Sequence, residues 1–218
     1  MTRRETLRVM ATERPWLFEQ LYAFNYRPAD YLHPSRRPAA ASAWNDSLWD
    51  TPRARIALSE FLLREHALAD RPCVDLDRAE APLALLDASR LPQLALTFGA
   101  LVLAPLARRS LARADVLAWR ERLTPQAHDF AMRSAGLLPL AGLLPADPPD
   151  DAPLDIGFDW LAASLEQAPF ELRERALMKL PASARRGHAD PAAAAQAVPR
   201  VLATLEPQWH SSFARAAH

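Results

Sequence analysis

Apolar residues recur along most of this chain at three- and four-residue spacing, the period that lines one face of an α-helix. Leu17, Phe18, Leu21 and Tyr22 make the first stripe. Leu58, Phe61 and Leu62 make the second, with Glu60 and Arg64 one turn apart on the outside as an oriented ion pair. Val116, Trp119 and Leu123 form a third. Ala127, Phe130, Ala131 and Ala135 form a fourth, with Gly136 placed to stop it. Leu172, Ala176, Leu177 and Leu180 follow Pro169. Val198, Val201, Leu202, Leu205 and Trp209 close the series, with Pro199 expected to kink or break the last helix. The longest apolar run, residues 91–106, falls short of the ~20 residues that span a bilayer and is bracketed by Pro92 and Pro105. It reads as a helix buried in a core.

Five glycines against 20 prolines is an unusual ratio, and many prolines stand where a helix should begin. Thr51-Pro52, Thr124-Pro125 and Asp190-Pro191 each pair a capping side chain with proline at the first helical position. The cap oxygen accepts from an orphan backbone N–H, and proline omits one that would lack a partner. Strand signals are thin: residues 73–77 alternate, but for too short a stretch. The expected fold is all-α, a compact globular multi-helix protein with Pro-rich connecting loops. Residues 145–153 are acidic and Pro-rich and read as an extended linker. They would separate an N-terminal helical body, 1–144, from a C-terminal helical part, 154–218, packed on that body as one unit. A second irregular stretch, 26–38, carries three prolines and three arginines.

Composition narrows the function. Half the residues are hydrophobic, enough for a real core, and 26 basic residues balance 26 acidic ones. No long-range field draws nucleic acid or an anionic membrane. Lys179 is the one lysine, a bias that genomic base composition explains more simply than any interface does. Cys73, the one cysteine, cannot form an internal disulfide and reads as a small buried hydrophobe. The charged N-terminus has no signal core behind it, which predicts a cytoplasmic protein.

No local pattern of catalysis or metal binding is present. The chain lacks a phosphate loop, His-Glu-x-x-His and Gly-x-Ser-x-Gly. Its six histidines are scattered, so only a site assembled from distant positions, such as His33, His66 or His128 with a carboxylate, would make it an enzyme. No catalytic, cofactor or metal residue is expected. His128 and Asp129, about 100° apart on a helix, read as surface polarity. Arg108, Arg109, Arg113, Arg120 and Arg122 gather around one helical region. Interleaved Asp115 and Glu121 make this a solvated or carboxylate-binding face rather than a nucleic-acid patch. Of six tryptophans, Trp16, Trp119, Trp160 and Trp209 are expected in the core. For Trp44 and Trp49, partial exposure at an interface rivals burial.

Residues 26–34, Tyr-Arg-Pro-Ala-Asp-Tyr-Leu-His-Pro, resemble the Pro-Ala-x-Tyr-Leu-His signature of the SctK (YscK, PscK) family of type III secretion accessory proteins. Three later stretches look similar in the same order. They are residues 94–109 with Phe98-Gly99-Ala100, residues 157–163 beginning Gly157-Phe158-Asp159-Trp160, and residues 171–181 ending Leu180-Pro181. The chain departs from the family pattern in a longer Arg-rich start and a longer Ala-rich stretch after Arg186.

The resemblance implies a non-enzymatic adaptor in the injectisome's cytoplasmic sorting platform. It would link the cytoplasmic domain of the ring protein SctD to the pod protein SctQ, and indirectly reach SctL and the ATPase SctN. Neither nucleic acid nor membrane insertion is involved, and no cofactor. The alternative is a helical chaperone or cargo-binding module. Partner contacts are expected at Arg27, Asp30, Tyr31, His33, Arg36, Arg37, Trp44 and Trp49. Tyr31 and Leu32 have an equal claim to stapling their loop to the core.

Overall fold

The computed structural model describes residues 3–38, 47–109, 112–134, 152–184 and 189–213. Among them the chain forms thirteen α-helices and no strand. In order these are α1 (Arg3–Glu13), α2 (Pro15–Tyr26), α3 (Pro28–Tyr31), α4 (Ser47–Asp50), α5 (Pro52–Glu65), α6 (Ala81–Leu85) and α7 (Leu91–Arg109). Then follow α8 (Arg113–Arg122), α9 (Pro125–Arg133), α10 (Pro153–Ser164), α11 (Phe170–Met178), α12 (Pro191–Leu205) and α13 (Pro207–Ser211). The all-α expectation holds, and the alternating residues 73–77 form no regular element.

Proline opens helices as expected. Thr124 accepts from Ala127 N–H at 3.3 Å and Asp190 from Ala193 N–H at 2.8 Å, while Thr51 takes the cap position without a side-chain capping bond. Pro199, expected to kink or break its helix, lies within an unbroken α12, and Pro105 lies inside α7. Gly136 and Trp44 fall outside the described residues. α5 ends in a Schellman turn, with Leu68 N–H donating to Leu63 O at 2.7 Å and Ala67 at φ 54° where glycine is usual.

By packing, the chain falls into two units interleaved in sequence. One runs up to Asp87 and takes in Ala168–Ala182; the other holds Ala88–Gln167 and Ser183–Ala214. The linker expected at 145–153 lies outside the described residues through 151, and Pro153 opens α10.

The second unit is built on α7, with α10 and α9 packed against it and α12 against α10. The helical stretch 88–109 is long and apolar enough to cross a membrane, yet 67% of its apolar 18-residue window is buried inside the fold. It is the expected core helix. Two glycines set its crossing with α10. A Cβ on Gly99 would stand 1.7 Å from the Pro153 carbonyl oxygen, and one on Gly157 equally close to that of Ala95. Phe98 and Trp160 meet beside them, ring centroids 5.4 Å apart. Two of the family-like stretches, far apart in sequence, thus form one helix–helix contact.

In the first unit α2, α3, α5, α6 and α11 pack together around Leu32, Trp49, Leu58, Leu62, Leu68 and Met178. Several apolar expectations fail: Trp119 and Trp209, assigned to the core, are half-buried, and Tyr22 and Val116, placed on apolar stripes, are exposed. Trp16, assigned to the core, is 44% exposed, because α2 buries the line Leu17, Leu21 and Phe24 and Trp16 stands off that line. Phe61, expected beside Leu58 and Leu62, is 37% exposed.

Candidate protein-binding groove

α2 presents a second, outward face. Tyr22 and Tyr26, one turn apart, are exposed, with ring centroids 5.2 Å apart. The Arg27 guanidinium lies 5.4 Å from the Tyr22 ring centre, a cation–π contact. Opposite them α5 presents Ile56, 62% exposed, more than any other large apolar residue described. Between these helices and the start of α3 runs a groove of about 790 Å³, lined by Tyr22, Tyr26, Arg27, Asp30, Arg55 and Ile56. Asp30 and Arg55 face each other across 3.5 Å at its edge. Ser59 Oγ accepts from Ala29 N–H at 3.2 Å and ties α3 to α5 below the opening. Tyrosine and arginine around an aliphatic anchor are the residue types that concentrate binding energy at protein interfaces.

The structure sorts the expected contact residues into two sets. Arg27 and Asp30 line the groove. Tyr31, His33 and Arg36 turn toward α11. Tyr31 Oη donates to Phe24 O at 2.7 Å, and burial pushes its pKa up. His33 N–H donates to Met178 O at 2.8 Å, and its Nδ1 accepts from Ser35 N–H at 3.2 Å. Burial, then Arg36, lower the His33 pKa, which suits that neutral acceptor. Arg36 donates from Nε to Leu180 O at 2.6 Å and from Nη2 to Pro181 O at 3.1 Å. Leu32 is buried, so the stretch carrying the family-like signature staples its loop to α11. Trp49 is also inside, 6% exposed, with Arg37 stacked 4.8 Å from its ring centre. The interfacial exposure expected of Trp49 is not observed.

Sequence reasoning passed over α11's two buried cations. Arg175 is 1% exposed and donates to the carbonyls of Leu68, Arg71 and Glu171 at 2.8–3.0 Å. Lys179 is 6% exposed and donates from Nζ to Ala84 O at 2.6 Å and Leu86 O at 2.9 Å. Its ammonium lies 5.0 and 5.1 Å from the ring centres of Phe24 and Tyr31. Burial pushes its pKa down to about 7, against an opposing pull from Asp87. The signal was available: Arg175 and Lys179 are one turn apart within an apolar stripe, and Lys179 is the one lysine.

The remaining candidates have local settings. Cys73 is buried, its backbone N–H and carbonyl each paired at 2.7 Å with the Asn25 side-chain amide, and burial raises its thiol pKa to about 11. His128 is buried, against the expectation that it would face solvent. Its Nδ1 lies 3.5 Å from Asp129 Oδ1 without an aligned hydrogen bond. His33 and His66 belong to one unit and His128 to the other. Among the described residues no group of three or more histidine, cysteine or acidic side chains could hold a metal.

A family described as bacterial type III secretion apparatus protein (OrgA_MxiK) matches residues 21–211. The chain belongs to this family. The family match covers both units and all of the groove, and starts after the Arg-rich beginning that departs from the SctK pattern. No curated protein and no solved structure matches the chain. As a type III secretion apparatus protein, the chain works among other secretion components.

Proposed function

We propose that this protein is a non-enzymatic cytoplasmic adaptor of the injectisome sorting platform, at the cytoplasmic face of the inner membrane. It joins the cytoplasmic domain of SctD to SctQ, and through SctQ reaches SctL and SctN. Membership of the apparatus family supports the setting. The observation that carries the binding role is the groove, where Tyr22, Tyr26 and Ile56 stand exposed beside Arg27 and Asp30 on packed helices. A rigid patch of this kind loses little conformational entropy on binding.

The test is capture of purified SctQ and of the SctD cytoplasmic domain by the full chain. Binding to at least one is expected, and Ile56→Asp or Tyr26→Ala should weaken it about thirtyfold, the loss typical of a hot-spot residue. Both side chains are exposed, so thermal unfolding should hold. Failure of the wild-type chain to capture either partner refutes the adaptor.

A further inference from the structure

Helix α8 buries none of its side chains. Val116 is 36% and Leu117 48% exposed, and both arginines near them, Arg113 and Arg120, are exposed as well. At 100° per residue, Val116, Arg120, Arg113 and Leu117 fall within one narrow face, two cations between two aliphatic side chains. Asp115 lies on the far side of the helix, and Glu121 stands at the edge of the face, about 40° beyond Leu117. Arg122 and Trp119 pair with each other elsewhere on the helix, 5.4 Å from guanidinium to ring centre. The exposed face is therefore positive and apolar together, its two arginines central and Glu121 bordering it only on the Leu117 side.

Resting on the adaptor reading, we propose that α8 is a second docking surface, and that it receives an acidic amphipathic helix from one of the two partners. Two observations select this occupant. Aspartate or glutamate suits the guanidinium forks of Arg113 and Arg120. Apolar groups at helical spacing suit Val116 and Leu117, the helix-against-helix mode of recognition. The surface belongs to the unit that does not contain the groove, so the two can hold different partners.

Binding of SctQ, of the SctD cytoplasmic domain, and of vesicles of equal parts phosphatidylglycerol and phosphatidylcholine is measured for the wild type. The same is done for Arg113→Glu with Arg120→Glu, for Leu117→Ser, and for the groove variant Ile56→Asp. Loss of one partner by tenfold or more in both α8 variants, with circular dichroism and that partner's affinity for Ile56→Asp unchanged, is the expected result. Raised salt should weaken the same contact. Wild-type affinity for both partners in the α8 variants overturns the proposal and leaves the adaptor intact. Vesicle binding abolished by the arginine reversals, with protein binding unaffected, assigns the helix to a lipid surface and overturns it too. Capture of neither partner by the wild type removes the adaptor reading and this proposal with it.

Discussion

Lys179 sets a pH dependence above neutrality. Its pKa falls from 10.5 to about 7 on folding, so between these values the unfolded chain binds a proton that the folded chain has shed. Stability therefore rises with pH from about 7 upward, and the desolvation penalty is fully present below 7. Cys73 works the other way. Its thiol is raised from 9.0 to about 11, so it erodes stability above about 9. The window that isolates Lys179 is thus pH 7 to 9. Urea unfolding should show stability climbing across it in the wild type and flat in Lys179→Met. A wild-type curve as flat as the variant's would mean that the ammonium stays charged, held by the Ala84 and Leu86 carbonyls and the two rings. The helical stripe of α11 was legible from Leu172 to Leu180, but its cations were not. A period locates a face and is silent on whether a charge within it finds carbonyl acceptors. The tryptophans show the same limit: Trp16 left the core it was assigned to, and Trp49, for which burial and exposure were rivals, lies inside, because burial depends on what lies opposite, which spacing does not encode.

At the scale of elements, α7 was readable because an apolar run between prolines has few alternatives in water. Its crossing with α10 was not, although Gly99 and Gly157 both stood in the stretches that carry the family resemblance. A glycine inside a helix costs about 1 kcal/mol relative to alanine, and here each removes the Cβ that would keep two backbones apart. Gly157→Ala introduces a better helix former at a site unable to accept it, since the new carbon would lie 1.7 Å from Ala95 O. Backbone, not a flexible side chain, would have to move, and the expected loss is about 2 kcal/mol or more. For a chain of this size the melting temperature should drop by roughly 4–8 °C. A melt equal to the wild type's would show that the helices do not approach so closely. The same element-level reading explains the caps: Thr124 and Asp190 engage the backbone ahead of them, whereas Thr51 holds the position and not the bond.

For the whole molecule, the order of units along the chain is the feature that periodicity could least reveal. A Pro-rich acidic stretch invites a serial division, yet α11 belongs with the helices of the first 87 residues. Arg175 supplies donors to Leu68 and Arg71, Lys179 to Ala84 and Leu86, and Met178 completes the apolar cluster. A fragment ending at residue 144 would keep α1 to α9 and lose all of these. Four carbonyls left without their donors cost about 1–3 kcal/mol each where water cannot reach them. That sum rivals the entire 5–15 kcal/mol by which domains are commonly stable. The fragment is expected to melt broadly and bind a hydrophobic dye, where the full chain melts sharply. In the full chain, amides of α11 should exchange hydrogen at the rate of those in α2 and α5, because elements of one cooperative unit open together. Early exchange in α11 with α2 and α5 still protected would separate it from that unit. The Tyr31–Arg36 staple and the two buried cations would then be accessories to a fold that stands without them.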